Sequence, residues 1–181
     1  HTQVITDGLL PLFEKKVITN KKKSYLPDKV LASLCMGSKK LYDYVDNNPI
    51  FYFKSSEFVN DPNIIAMHDN FISISSALEV DLTGQVCTDS KGYLIYSGIG
   101  DQVDFIRGSA MSKGGFSIII IPSTAQGGKV SRIVPHLSEG AGVATTRGDI
   151  DIIVTEYGIA ELRRKSIYQR VMELARISHP K

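Results

Sequence analysis

The chain of 181 residues has no tryptophan, two cysteines and almost no excess of charge of either sign. Its 21 basic and 19 acidic residues leave a formal net charge of +2, too balanced to point to nucleic acid or to a membrane surface. The one basic run, Lys21-Lys22-Lys23, adjoins Ser24 and Pro27 and reads as a solvated loop. Cys35 and Cys87 lie far apart and lack Cys-x-x-Cys spacing, so neither a metal site nor a disulfide framework is indicated. Buried, reduced thiols and a cytoplasmic setting are the expectation. No apolar run reaches the ~18 residues that a membrane span needs, and no signal peptide is visible. His68, His136 and His179 show no metal-ligand spacing and read as surface or capping residues. The remainder, 43% hydrophobic and 22% charged, has the profile of an ordinary globular domain. The chain starts at His1 and runs straight into an amphipathic pattern, Val4, Ile5, Leu9, Leu10, Leu12 and Phe13, which reads as part of a longer protein.

Periodicity and punctuation give the elements. Asp7 is a plausible N-cap for a helix through Phe13, with Pro11 in its first turn. Val30 to Met36 reads as one buried strand. Ser38 caps a helix through Asp46, stopped by Asn47-Asn48-Pro49. Phe51-Tyr52-Phe53 is strand-like, and a turn-rich connection from Ser55 or Asn60 leads to Pro62. Strands follow at Phe71 to Ile74, Glu79 to Thr83, Val86 to Thr88 and Gly92 to Tyr96, with a hairpin-type turn at Asp89-Ser90-Lys91-Gly92. Val103 to Met111 is a helix. Phe116 to Ile121, a β-branched run stopped by Pro122, should be a central strand buried on both faces. Lys129 to Val134 and Ile152 to Thr155 are further strands, and Ile159 to Ile177 a last helical segment. Strands mixed with helices argue for one α/β domain with a mixed sheet.

The segment with most chemical content is Tyr96-Ser97-Gly98-Ile99-Gly100-Asp101-Gln102-Val103-Asp104. A Gly-x-Gly turn after a strand lets backbone N–H groups approach an anion or an acyl carbonyl with no Cβ in the way. Gln102 reads equally as a solvated turn residue or a polar pocket group, and Asp104 as a helix cap rather than a catalyst. Glu79 and Asp81 alternate on a strand and share a face. Acid–base work or salt bridges to Arg107 or Arg147 would both suit them. Glu156, after a strand, is expected to bond backbone. His1 reads as a pocket-entrance residue or an appended one.

Several ordered motifs carry a family resemblance. These are Ser76-Ala77-Leu78-Glu79-Val80-Asp81-Leu82-Thr83-Gly84-Gln85-Val86, Tyr96-Ser97-Gly98-Ile99-Gly100, Ser131-Arg132-Ile133-Val134-Pro135, Thr145-Thr146-Arg147-Gly148-Asp149, Val154-Thr155-Glu156-Tyr157-Gly158 and Ser178-His179-Pro180. Together they resemble the C-terminal domain of the acetyl-CoA hydrolase/transferase family, over essentially the whole chain. The resemblance implies an α/β fold of three layers, of the NagB/RpiA/CoA-transferase type, with a mostly parallel, mixed central sheet. It implies that residues 1–181 are the second of two similar domains, that the partner in the active site is the N-terminal domain, and that a homo-oligomer is open. Its substrates would be acyl-CoA and a small carboxylic acid, with no metal. The implied chemistry moves coenzyme A through a glutamyl-CoA thioester, a case of covalent catalysis by a carboxylate. Contacts to CoA or the acyl group would fall on Ser75, Gly98, Ile99, Gly100, Asp101, Gln102 and Gln126.

The same resemblance exposes departures. The family's nucleophile falls in His1-Thr2-Gln3-Val4-Ile5-Thr6-Asp7-Gly8, at position 3, where this chain has glutamine. A neutral amide has no free carboxylate and cannot form the anhydride or the thioester. Asp101 replaces a third glycine, Ser75 stands where relatives often have asparagine, and Gln126 where some have lysine. Two other functions therefore stand beside CoA transfer. One is a CoA-binding or scaffold domain without activity; the other is acyl-CoA hydrolysis with Glu79 or Glu156 as base and no covalent intermediate.

Overall fold

In the computed structural model, which describes residues 1–180, the first third of the chain is built from short parallel pairs. β1 (Val4–Thr6) leads through a 3-10 turn into α1 (Leu10–Glu14), with Pro11 in the first turn, where its missing N–H costs nothing. The apolar run from Val30 to Met36 is two strands rather than one. β2 (Val30–Ala32) is buried, whereas β3 (Leu34–Met36) leaves Leu34 and Met36 exposed. The break is at Ser33, where the N–H groups of Ser33 and Leu34 both donate to Gln3 O, at 3.0 and 2.9 Å. β3 then pairs with β1. Cys35 is accordingly half-buried, while Cys87 is buried.

α2 (Lys39–Val45) starts at the expected cap, with Ser38 Oγ accepting from Leu41 N. Asp7 caps nothing: its carboxylate accepts from Ser38 N at 2.8 Å and Ser38 Oγ at 2.7 Å, tying the end of β1 to the start of α2. β4 (Phe51–Phe53) pairs with β2. The stretch expected only to turn holds two short helices, α3 (Ser56–Val59) and α4 (Pro62–Ala66). Asp61 caps the second by accepting from Asn63 N at 2.8 Å.

The rest of the chain builds the main sheet. Its elements are β5 (Ile72–Ser76), β6 (Glu79–Asp81), β7 (Val86–Cys87), β8 (Ser90–Lys91), β9 (Leu94–Ile95), α5 (Gln102–Met111) and β10 (Phe116–Ile120). Then come β11 (Thr124–Ala125), β12 (Val130–Ser131), β13 (Ile133–Val134), β14 (Ile152–Thr155), β15 (Gly158–Glu161) and α6 (Ile167–Arg176). The order is β15-β14-β10-β5, with β5, β10 and β14 parallel and β15 antiparallel at the edge. This is the mixed, mostly parallel sheet of an α/β domain.

β10 is central but is buried on one face only. Ser117 and Ile119 are fully buried, Ile119 in the principal core with Ile106 of α5 and Leu174 of α6, while Ile120 on the other face is 48% exposed. Ile72, Ile74 and Ile159 share that open side. The segment expected as a helix from Ile159 begins as β15, because Ile159 and Ala160 pair with Val154 and Ile153. The helix waits for Ser166, which forms a capping box with Gln169. Lys129 to Val134 likewise splits at Arg132, β12 joining β11 and β13 joining β6.

Arg170 holds the end of α6 to two loops. It is 8% exposed, and its Nη1 donates to Arg147 O at 2.6 Å and Thr83 O at 3.3 Å, with Nε donating to Lys165 O. Burial and the Arg147 charge lower its pKa. Arg170→Met keeps the stem but leaves these carbonyls without their donor. A loss of about 2 kcal/mol is expected, to be read from denaturant midpoints.

Candidate functional site

The Gly-x-Gly turn joins the β8–β9 hairpin to α5. Tyr96 N–H and Ser97 N–H donate to Asp89 O at 2.7 and 3.3 Å, closing the neck of the hairpin. Gly100 has φ +71°, a left-handed value that suits glycine, and a Cβ built on Gly98 or Gly100 would meet nothing within 4 Å. The space above both is open to a ligand. It belongs to a cavity of about 1050 Å³ lined by Val4, Thr6, Ile74, Ser75, Ser76, Thr88 and the turn from Ser97 to Gln102. Ser75, Gly98, Ile99, Gly100, Asp101 and Gln102 thus share one wall. Gln126 does not: it is exposed, with φ +51°, and lines a neighbouring cavity of about 490 Å³ beside Lys91, Tyr96 and Arg132. Thr88 borders both cavities.

Asp101 occupies the N-cap of α5 with φ −93°, so the backbone there places no demand for glycine. Its carbonyl accepts from Asp104 N and Phe105 N, each at 3.1 Å, while its carboxylate makes no capping bond. The carboxylate meets Gln3 instead. In the orientation that satisfies its surroundings, the Gln3 amide donates to Asp101 Oδ1 at 3.2 Å and Oδ2 at 3.3 Å and accepts from Asn60 Nδ2 at 3.2 Å. Asn60, 57 positions from Gln3, gave no local signal of this role; it ends α3 and was visible only as a turn residue. Asp104 lies within the first turn of α5 rather than at its cap, and burial, then the Asp101 charge, pushes its carboxyl up. Gln102 is buried at 9% exposure, its Nε2 donates to Ser76 O at 3.4 Å, and it lines the cavity beside Asp101.

A second, small cavity of about 120 Å³ is also lined by Asp101, with His1, Ser75, Gln102 and Phe105. His1 Nε2 donates to Val59 O at 2.7 Å, so its Nδ1 is left to accept from His68 Nε2 at 3.0 Å. Phe71 and Phe105 meet the His1 ring edge-on. His68, expected at the surface, is 4% exposed, and burial with the nearby Lys23 charge lowers its pKa to about 4. An unfolded histidine titrates near 6.5, so the folded state binds fewer protons between these values. Stability contributed by neutral His68 is therefore complete above about pH 6.5 and falls by up to about 3 kcal/mol as pH drops to 4. Denaturant unfolding across that range checks this, with His68→Leu expected to show the shallower acid dependence.

The other carboxylates are occupied elsewhere. Glu79 accepts from Ser138 N and Oγ, both at 2.8 Å. Asp81 accepts from Thr83 and Gln85, whose bonds hold its carboxyl below the usual range against the opposing effect of burial. Neither meets Arg107 or Arg147, which pair with Asp149 and Gln85. Glu156 bonds Ser123 N and Oγ at 2.9 and 2.6 Å, and these bonds lower its pKa. Among the described residues no cluster of three His, Cys, Asp or Glu could hold a metal, and no helix is long and apolar enough to cross a membrane.

Residues 37–181 match the family model described as "Acetyl-CoA hydrolase/transferase C-terminal domain". The chain belongs to this family. It is 51% identical over 181 residues to the 4-hydroxybutyrate coenzyme A transferase of Clostridium kluyveri, covering all of this chain and 42% of that protein. The crystal structure of RipA from Yersinia pestis superposes with a TM-score of 0.93 at 39% identity, over 99% of this chain and 40% of that one. The 4-hydroxybutyrate CoA-transferase structure from Porphyromonas gingivalis gives 0.85 at 43% identity, over 99% of this chain and 41% of that one. The chain thus spans about two-fifths of the family members it matches. Acetyl-CoA hydrolase/transferase membership makes it part of an enzyme family, and its central sheet is that of a CoA-transferase domain.

Proposed function

We propose that the protein moves CoA between an acyl-CoA and a small carboxylic acid, through a thioester formed on a carboxylate of the enzyme. The observation that carries this reading is the cavity above Gly98 and Gly100, where two bare backbone positions face a space large enough for an acyl thioester arm. Backbone N–H groups of the turn would steady the charge that develops on the thioester oxygen. This chain would act as the C-terminal domain, with an N-terminal domain of the same protein closing the cavity and supplying groups that select the acid. Position 3 is where the resemblance puts the nucleophile. With glutamine there, a glutamyl-CoA thioester cannot form at that residue.

Gln3 is also the specific observation that favours a second reading, a CoA-binding domain without turnover. Hydrolysis by Glu79 or Glu156 is weakened by the geometry, since both accept two bonds from a serine and Glu156 is made a poorer base. The test is to give the full-length protein acetyl-CoA and an isotopically labelled small acid. Labelled acyl-CoA is expected. Free CoA accumulating without it would indicate hydrolysis, and CoA binding with neither product would leave a binding domain.

A further inference from the structure

Transfer through an enzyme thioester needs a carboxylate that a thioester can reach, and the residues around the glycine turn limit the choice. Asp101 carries the only carboxylate among the described residues lining the large cavity, and again the only one lining the small cavity beside it. Gln3 lines neither. Although Asp101 sits at the N-cap of α5, its carboxylate is not consumed in capping that helix. It lies 3.2 and 3.3 Å from the Gln3 amide nitrogen, so the carboxylate stands within one hydrogen bond of the side-chain end of position 3. Asn60 holds the Gln3 amide oxygen from the far side, which fixes the nitrogen toward Asp101.

We infer that Asp101 is the catalytic carboxylate of this chain and that Gln3 is its hydrogen-bond donor. This rests on the CoA-transfer function proposed above. An Asp101 oxygen attacks the thioester carbonyl, and the CoA thiolate leaves with the electron pair of the carbon–sulfur bond, giving a mixed anhydride. The thiolate then attacks the aspartyl carbonyl, the anhydride carbon–oxygen bond breaks, and the donor acid departs as its carboxylate. The acceptor carboxylate reverses these two steps and restores Asp101. No proton, oxidant or reductant is added or lost. The Gln3 N–H groups orient the attacking carboxylate and remain beside its carbonyl oxygen when that oxygen becomes negative. Among the described residues Asp101 is bonded by a neutral amide and paired with no cation, which leaves its oxygens nucleophilic.

The experiment uses the full-length protein with acetyl-CoA, trapped with borohydride, which reduces a thioester to the alcohol, then digested for mass spectrometry. The expected result is reduction at Asp101. Asp101→Asn is expected to lose transfer by at least about a thousandfold while retaining CoA binding. Asp101→Glu, which keeps a carboxylate, is expected to retain measurable transfer and to be modified at the new side chain. Transfer in the wild type with the adduct on a different carboxylate would overturn the assignment and leave the proposed function standing. So would Asp101→Asn turning over at the wild-type rate. Absence of both adduct and transfer in the wild type would overturn the two together.

Discussion

Glutamate in place of Gln3 is expected to slow CoA transfer near neutral pH by about tenfold to a hundredfold, and to make the rate climb as pH rises. The reason is the short distance from the Gln3 amide nitrogen to both oxygens of Asp101, 3.2 and 3.3 Å. Two carboxylates at that separation cannot both ionise readily, so they share a proton and the second ionisation moves up by one or two pKa values. The shared proton also blocks the oxygen that must attack. Removing the conflict with Gln3→Glu/Asp101→Gly should restore a rate with little pH dependence and move the trapped adduct to position 3. If Gln3→Glu alone were faster than wild type and flat with pH, position 3 would be the natural place of the nucleophile and Asp101 a bystander.

The second large effect concerns the support under α5, the helix whose first residues form the cavity wall. Gly115 lies where the end of α5 turns into β10. A Cβ there would clash with the backbone oxygen of Ser109, and would come within 2.7 Å of Ser112 Cβ and 2.8 Å of Phe71 O. Two of these obstacles are backbone, and Phe71 O is already an acceptor from Phe116 N at 3.1 Å. Neither can swing aside as a side chain would. Gly115→Val is therefore expected to cost about 4 kcal/mol or more, seen as a large fall in the thermal midpoint. Gly98→Ala, with nothing within 4 Å of its Cβ, is expected to leave the midpoint nearly unchanged. Equal effects at the two glycines would contradict the packing described for Gly115.

Local patterns made much of this legible. Ser38 announced α2, the helix expected from Val103 to Met111 is α5, and the β-branched run from Phe116 placed β10 at the centre of the sheet. The glycine turn brought Gly98 to Gln102 onto one wall, as their adjacency in sequence required. What stayed hidden depends on partners far along the chain. Asp7 has the chemistry of a cap, but Ser38 claims it from 31 positions away. β15 reads as helix because a strand of four residues shows too little alternation, and only pairing with β14 makes it one. His68 looks like a surface histidine until His1, Tyr25 and Phe71 pack around its ring.

Gln3 and Asp101 show the same limit at the site itself. The family resemblance implies a departure at each. Only the fold shows that the two side chains touch.

The most direct test of the account follows oxygen. Full-length protein would be run through many turnovers with acetyl-CoA and an acceptor acid carrying heavy oxygen in its carboxylate. If an enzyme carboxylate carries CoA, one heavy oxygen stays on the enzyme as each acceptor leaves, and appears in the acetate released in the next cycle. The account predicts heavy oxygen in the acetate after the first turnover. Acetate whose new oxygen comes only from water would contradict it.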